Sequence, residues 1–437
     1  MLRLEHLVTP AIAAAALLLL VATSKIPLAS IIYDGCIAGV RVCYMAAGFG
    51  LVVILPRIGF QALKSGPPEQ HGFQRDQLPA VPASAPRIVW ILMDELSYDQ
   101  VFDSRQADVL LPNFDRLAQS SVTFSDLQPS AEAEGAGAET EKVLPSLLLG
   151  KSIVEMHKPY PGPPRYRTIA GGAWQWFNEY DTIFADSHSH GWTTGVAGWY
   201  NPYCRLLPNV LDRCFWIYSE PVHTDLSGGL STGKSIAENI AAMMPFRDRF
   251  NILMHTSSNE GVQTHINDYV SVMAQAKDLI EDSRIRFAFV HLPIPHPPGI
   301  YDRLHHRLSD HGTYLDNLVL ADQSLAALRN VIQSTAAAPN TTLMVSSDHS
   351  WRTFMWQPFP DWSEQETHAT HGGKFDQRPV LIVQLPGEDS RLVVSKTVNV
   401  LIVHEIVEAL LRGQLHTPTD LDSLVDQQPQ ETSNAQR

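Results

Sequence analysis

Cysteine is scarce, with four in 437 residues. There is no Cys-x-x-Cys pair. That excludes a small disulfide-stapled fold and gives no zinc-ribbon spacing. Charge is scarce as well. Asp, Glu, Lys and Arg make up 18% of the chain, against roughly 25% in an average soluble protein. Positive charge is the scarcer sign: 32 Lys and Arg stand against 46 Asp and Glu, for a formal net charge of −14. This balance offers neither the basic face of a nucleic-acid binder nor the polybasic surface of a peripheral membrane protein. Internal repeats and low-complexity tracts are missing too. What is present is 44% apolar residues, which excludes wholesale disorder. The length allows two or three domains, or one large α/β domain, with ample core.

The low charge has a local origin. Residues 7–23 (LVTPAIAAAALLLLVAT) carry none. At about 1.5 Å per residue they just cross a hydrocarbon core of about 30 Å. Residues 36–56 form a second apolar run whose one charge, Arg41, sits near an end where it can snorkel. The first run reads as a membrane span or a cleaved signal peptide. The span is favoured because Glu5 opposes Arg3 and no small-residue cleavage site follows. The second reads as a span or a buried helix. Together they predict a two-helix membrane anchor over residues 1–60, with the N-terminus and the large domain on the same side. Lys25 and Arg41 lie between the runs, and Arg57 and Lys64 lie beyond them. Charge therefore does not orient the anchor.

Residues 61–86 are rich in proline and polar side chains and read as a linker. Residues 87–415 read as one domain, and residues 416–437 as a disordered tail. Cys36 and Cys43 lie in or beside the second apolar run, as inert apolar residues. Cys204 and Cys214 stand in a polar, turn-rich stretch. They are either a disulfide, which implies an oxidising extracytoplasmic compartment, or two free thiols.

Within residues 87–415 strand and helix signals alternate. Apolar runs of strand length cover 87–93 (RIVWILM), 192–198, 286–292, 341–346 and 379–384. Helical spacing marks 111–120, 236–244, 270–280, 316–333 and 398–411. Buried strands alternating with helices predict an α/β fold, a mostly parallel sheet covered on both faces. Ligands bind such a sheet beyond the carboxyl ends of its strands.

Three strands end in chemistry. RIVWILM runs into Asp94 and Glu95, residues 341–346 run into Asp348 and His349, and residues 286–292 carry His291 and lead to His296. One strand-end acid is ordinarily a cap, and one histidine a solvated surface group. Three such ends together point to a divalent metal held by oxygen and nitrogen ligands.

The chain resembles the alkaline phosphatase superfamily, in its sulfatase-like and phosphoethanolamine-transferase branches. The opening strand with its acidic pair, PNFDRLAQSSVTFSD (112–126), FVHLPIPHPP (289–298), SSDHS (346–350) and GGKFDQRPVLIVQLPG (372–387) follow in family order across about residues 87–412. Sulfatases place Cys or Ser ten residues before the glycine that closes their signature. Here Thr140 stands ten before Gly150 and five before Pro145, as the nucleophilic threonine does in the transferases. Threonine cannot become formylglycine, and Leu144 replaces the signature arginine, with Lys142 as a partial substitute. The same threonine also fits a plain helix cap for residues 141–149.

The resemblance implies that Asp94, Glu95, Asp348 and His349 bind the metal (Zn, Mn or Ca) with Thr140. It implies that His296 and Lys374 bind or protonate the ester. His368 or His371 is a further metal-site group or simply part of a polar loop. His188, His190, His305 and His306 read as surface residues. Trp351 and Arg352 follow the metal pair, within reach of an anionic substrate.

The resulting expectation is a membrane-anchored, metal-dependent hydrolase or phosphotransferase of phosphate esters. Its catalytic domain is extracytoplasmic, and its substrate is a membrane lipid head group or an envelope glycan. The competing expectations are a sulfatase and a catalytically degenerate envelope-assembly protein.

Overall fold

The computed structural model describes residues 37–41, 72–129, 139–158, 163–217 and 257–427. The site-bearing part lies in a compact unit, Glu69–Arg437. Residues 7–23 and 236–244, and most of 36–56, fall outside the described residues. Residues 37–41 are helical. Among the described residues no helix is long and apolar enough to cross a membrane.

A nine-stranded sheet organises the unit. Its order across the sheet is Gly72–Gln74, Arg213–Ile217, Thr194–Trp199, Phe287–Leu292, Arg87–Met93, Thr341–Ser346, Leu381–Gln384, Val122–Phe124 and Leu392–Val394. The four central contacts, from Arg213–Ile217 through to Thr341–Ser346, are parallel. Arg87–Met93 and Thr341–Ser346 are fully buried along their lengths. Unbroken apolar runs of this kind are the pattern of a strand covered on both faces.

Side-chain alternation splits the core in two. One face gathers Trp90, Leu92, Phe287, Phe289 and Met344 under the helices Thr140–Leu149, Ile183–Ser189 and Ile402–Leu411. The other gathers Val89, Ile91, Ala288 and Val345 under Pro112–Ala118, Ser257–Glu281 and Tyr314–Ser334. The Trp90 indole donates to Ser346 Oγ at 2.7 Å, so the one polar atom of that ring is satisfied inside the sheet.

Three expectations are corrected. The strand expected over 379–384 is Leu381–Gln384 and runs antiparallel to Thr341–Ser346. The chain between them forms only the short helices Thr353–Trp356 and Glu364–Ala369. An antiparallel pair needs no long crossover. The linker over 61–86 is not wholly linker. Gly72–Gln74 pairs antiparallel with Arg213–Ile217 at the sheet edge, and Phe73 packs against the core. The tail over 416–437 begins with a helix, Pro418–Asp426. Thr417 and Asp420 form its capping box, and Leu421 and Val425 are buried one turn apart. An apolar pair at this spacing outweighs the polar composition around it.

Cys204 and Cys214 form a disulfide, with Cα atoms 5.6 Å apart. It ties the short helix Tyr203–Leu206 to the sheet strand Arg213–Ile217. The closed loop is short, with a sequence separation of 10, so the cross-link is expected to contribute at the lower end of the usual range, about 2–3 kcal/mol. Unfolding of Cys204→Ser/Cys214→Ser in denaturant checks this. An unchanged midpoint would show that the bridge adds nothing.

Candidate active site

The site lies at the carboxyl ends of the central strands, and strand register decides which side chains enter it. Leu92 is opposite both His291 and Ser346. Side chains two residues apart share a face. Asp94, His291 and Asp348 therefore point to the same side, that of the Thr140–Leu149 helix. Glu95, one residue on, is sent the other way. Its φ of 63° is the left-handed conformation, uncommon for a residue with a Cβ.

Thr140 is the first residue of its helix. The N-cap is Glu139, which makes no side-chain cap. The Thr140 hydroxyl is therefore not used as a cap. Its Oγ1 lies 3.4 Å from Asp94 Oδ2 and 3.2 Å from His349 Nε2. The helix is held down by Val143, Leu144, Leu147 and Leu148 in the core. It stops at Gly150, whose φ of 63° and contact with the His404 ring leave no room for a Cβ.

Asp94, Asp348 and His349 each offer a ligand atom, all within 4.8 Å of one another. His349 Nε2 is 3.1 Å from Asp348 Oδ2, and its Nδ1 donates to the Ser350 carbonyl at 3.1 Å. That bond fixes the tautomer, leaving the Nε2 lone pair for a ligand. Asp94 Oδ1 and Asp348 Oδ2 are buried without a hydrogen-bond partner. Two orphaned carboxylate oxygens beside an oriented imidazole are costly unless a cation joins them. The residues thus fit a divalent metal.

The electrostatics agree with this fit. Burial, then the neighbouring Asp348 charge, raises the Asp94 carboxyl well above the usual carboxylate range. Burial also works against Asp348, but His349 and His291 hold it down. Burial lowers His349 and His291 to about 4, so both are neutral at neutral pH. His291 bridges the cluster to the scaffold. Its Nε2 is 3.3 Å from Asp94 Oδ2, and its Nδ1 is 2.8 Å from the Tyr203 hydroxyl.

The remaining expected residues divide. The Glu95 side chain does not join the metal set. Its carboxylate accepts from Arg352 Nε and, at 3.1 and 2.9 Å, from the Trp356 indole. Burial, opposed by Arg352, leaves this carboxyl raised to about 8. Every hydrogen bond it makes is an accepted one, which favours the ionised form against that burial. His296 is close by, its Nε2 3.3 Å from Arg352 Nη2. Its Nδ1 donates to the Pro297 carbonyl, so Nε2 is an acceptor. Burial and then Arg352 hold His296 well below its ordinary pKa, the opposite of what a proton donor needs. Lys374 is exposed after the Glu364–Ala369 helix, and its ammonium makes no hydrogen bond or ion pair among the described residues. His368 and His371 are exposed, and His368 bonds Gln106. His190, His305 and His306 are exposed, whereas His188 is bonded to Asp212. Lys142 pairs with Glu139 at 3.0 Å.

The inward role of His291, the Tyr203 hydroxyl behind it and the Glu95–Arg352–Trp356 set are not read from the sequence. Counting strand parity from Asp94 finds the first. Nothing in local sequence finds the others, because their partners are up to 261 residues away.

Sulfatases belong to the alkaline phosphatase superfamily, whose enzymes use divalent metal ions, and Asp94, Asp348 and His349 could hold one here. The model of the sulfatase family matches residues 86–380, and the chain belongs to that family. It is a sulfatase-family hydrolase. No curated protein matches the sequence. Solved structures that it resembles include the phosphonate monoester hydrolase of Agrobacterium radiobacter, at 13% identity and a TM-score of 0.42, covering 79% of this chain and 78% of that one. A sulfatase from a Pseudoalteromonas species is 12% identical with a TM-score of 0.47, covering 75% and 67%. The murine ectonucleotide pyrophosphatase/phosphodiesterase 5, solved as an inactive variant with AMP, is 10% identical with a TM-score of 0.41, covering 78% and 100%.

Proposed function

We propose that this protein is a membrane-anchored, metal-dependent phosphotransferase or phosphodiesterase with Thr140 as its nucleophile. The observation that carries the reading is the position of Thr140 Oγ1 between Asp94 Oδ2 and His349 Nε2. A sulfatase needs a Cys or Ser there to mature into its aldehyde. A threonine hydroxyl attacks phosphorus without maturation.

Asp94, Asp348 and His349 would hold the metal together with Thr140. A bound divalent cation lowers the pKa of a ligating hydroxyl and offsets charge on the ester oxygens. The chain's own residues do the rest. Asp94 Oδ2 and His349 Nε2 both lie within reach of the Thr140 hydroxyl, so its proton has an acceptor as Oγ1 attacks. The Oγ1–P bond forms, the P–O bond to the leaving group breaks with its electron pair going to the departing oxygen, and a phospho-threonine results that keeps any second ester group of the substrate. Its phosphoryl group then passes to water or to an acceptor hydroxyl. The helix N-terminus beneath Thr140 favours the anion throughout.

The apolar runs over 7–23 and 36–56 support membrane anchoring. The Cys204–Cys214 bridge supports an extracytoplasmic domain. Anchoring in turn suggests a lipid head group or an envelope glycan as substrate.

The test compares an aryl phosphate diester with an aryl sulfate, with and without chelator, using the full chain in detergent. Chelator-sensitive cleavage of the phosphate ester is the expected result. Sulfate cleavage alone would favour a sulfatase, and a chain that binds no metal would favour the degenerate reading.

A further inference from the structure

A second group of metal-ligating side chains lies away from the strand ends, on two helices. Asp186 belongs to Ile183–Ser189, and His404 and Glu408 belong to Ile402–Leu411. Each offers one ligand atom, and the three atoms lie within 4.8 Å of one another. His404 and Glu408 are four residues apart, so one helix face presents both. Asp186 comes from a distant part of the chain and meets them only in the fold.

Apolar packing brings the two helices together. Ile402, Val403, Ile406 and Val407 are buried in the same core cluster as Ile183 and Phe184. His404 and Glu408 are left at its margin, with side chains 11% and 27% exposed. Asp186 is partly buried. Such a margin is dry enough to strengthen a charge contact and open enough for an ion to enter.

The imidazole is already aimed. His404 Nδ1 donates to the Leu147 carbonyl at 3.0 Å, which leaves the Nε2 lone pair for a ligand. Gly150 backs the ring. A Cβ there would lie 2.5 Å from the imidazole Cδ2, so a larger residue would push the ring aside. His404 Nε2 is 3.6 Å from Glu408 Oε1. A protonated imidazole paired with Glu408 would close that gap to a hydrogen bond. The gap is instead close to the ~3.3 Å between two ligands of a tetrahedral ion bonded at about 2.0–2.1 Å. Glu408 Oε2 takes Arg412 Nη2 at 3.0 Å, which steadies the carboxylate and leaves Oε1 spare. The Asp186 carboxylate accepts no hydrogen bond among the described residues, and the Glu408 charge acts on it.

We propose that Asp186, His404 and Glu408 form a second divalent-metal site, which pins the helices Ile183–Ser189 and Ile402–Leu411 beside the end of the helix that begins at Thr140. One nitrogen and two oxygen ligands suit Zn, with the fourth position left to water. The Leu147 carbonyl behind His404 links this metal to the Thr140 helix. No hydrogen bond or ion pair joins the three ligands to Thr140, Asp94 or His349, so the site stands whether or not Thr140 attacks phosphorus.

The experiment uses the full chain in detergent, with Asp94→Asn and His349→Ala together to remove the strand-end ligands. The protein is stripped with chelator, reloaded with Zn, gel-filtered and assayed for metal. This variant is expected to keep one Zn per chain and to unfold several degrees higher with Zn than without. Adding Asp186→Asn, which keeps the shape and loses the charge, is expected to weaken Zn binding at least tenfold, since even outer-shell partners cost that much. It is also expected to abolish the thermal shift. Glu408→Gln is expected to do the same, and it serves if the asparagine variant does not fold. If the strand-end variant does not fold, the same changes are made in wild type, where they are expected to lower Zn from two per chain to one.

A folded strand-end variant that keeps no Zn would overturn the proposal. Zn affinity unchanged by Asp186→Asn or Glu408→Gln would overturn it too. A wild type holding one Zn that is lost with Asp186→Asn but kept with Asp94→Asn would uphold this site and sink the strand-end metal instead.

Discussion

Thr140→Ala is expected to lower kcat/KM for a phosphate diester by about 10⁴-fold or more, since removal of a covalent nucleophile typically costs this much. Metal content should fall little, because Asp94, Asp348 and His349 supply the three grouped ligands. Thr140 is buried, but alanine removes only a hydroxyl and a methyl, so the void is small. Thr140→Ser keeps the hydroxyl and should retain measurable activity. Single-turnover kinetics separate the steps: alanine abolishes the first burst, and serine preserves it. Equal rates in wild type and Thr140→Ala would remove Thr140 from the chemistry.

The second large effect is on stability, and its sign depends on the metal. In metal-free protein, Asp94 and Asp348 are two buried carboxylates in electrostatic contact, each with an orphaned oxygen. Asp94→Asn removes a carboxyl that must be buried either charged or at the cost of taking up a proton. The metal-free variant is expected to be more stable than metal-free wild type by about 1–3 kcal/mol. With metal the order reverses. At a free-metal concentration of 100 Kd, wild type gains about 2.7 kcal/mol from this site, whereas Asp94→Asn gains almost nothing from it. Thermal unfolding with and without added Zn, in both proteins, reads this crossing. Parallel shifts in the two proteins would mean that the stabilising metal binds elsewhere. One other set of described residues could hold it: Asp186, His404 and Glu408.

The sequence reading located the parts of the fold whose signal is continuous burial. The expected strands over 87–93 and 341–346 coincide with Arg87–Met93 and Thr341–Ser346, since a fully buried strand shows as an unbroken apolar run. The reading was poorer where tertiary contacts decide. Gly72–Gln74 becomes a strand only because Arg213–Ile217 offers an open edge. Leu421 and Val425 form a helix only because the core accepts them.

The site divides along the same line. Asp94, Asp348 and His349 are visible as strand-end residues. The geometry brings them to Thr140, which is 46 residues from Asp94 and 209 from His349. Glu95 shows the limit of motif reasoning. An acidic pair in sequence looks like two ligands, but successive side chains beyond a strand diverge. The second carboxylate is spent on Arg352 instead.

The central claim is that Thr140 carries a phosphoryl group. The direct measurement is the mass of the Thr140-containing peptide after the full chain, in detergent with Zn, is mixed with a phosphate diester and quenched in acid. The account predicts one adduct on Thr140 in wild type, a phosphoryl group that still carries the diester's second substituent, absent with chelator and absent in Thr140→Ala. Turnover of the ester with no adduct on Thr140, or with an adduct elsewhere in the chain, would contradict it.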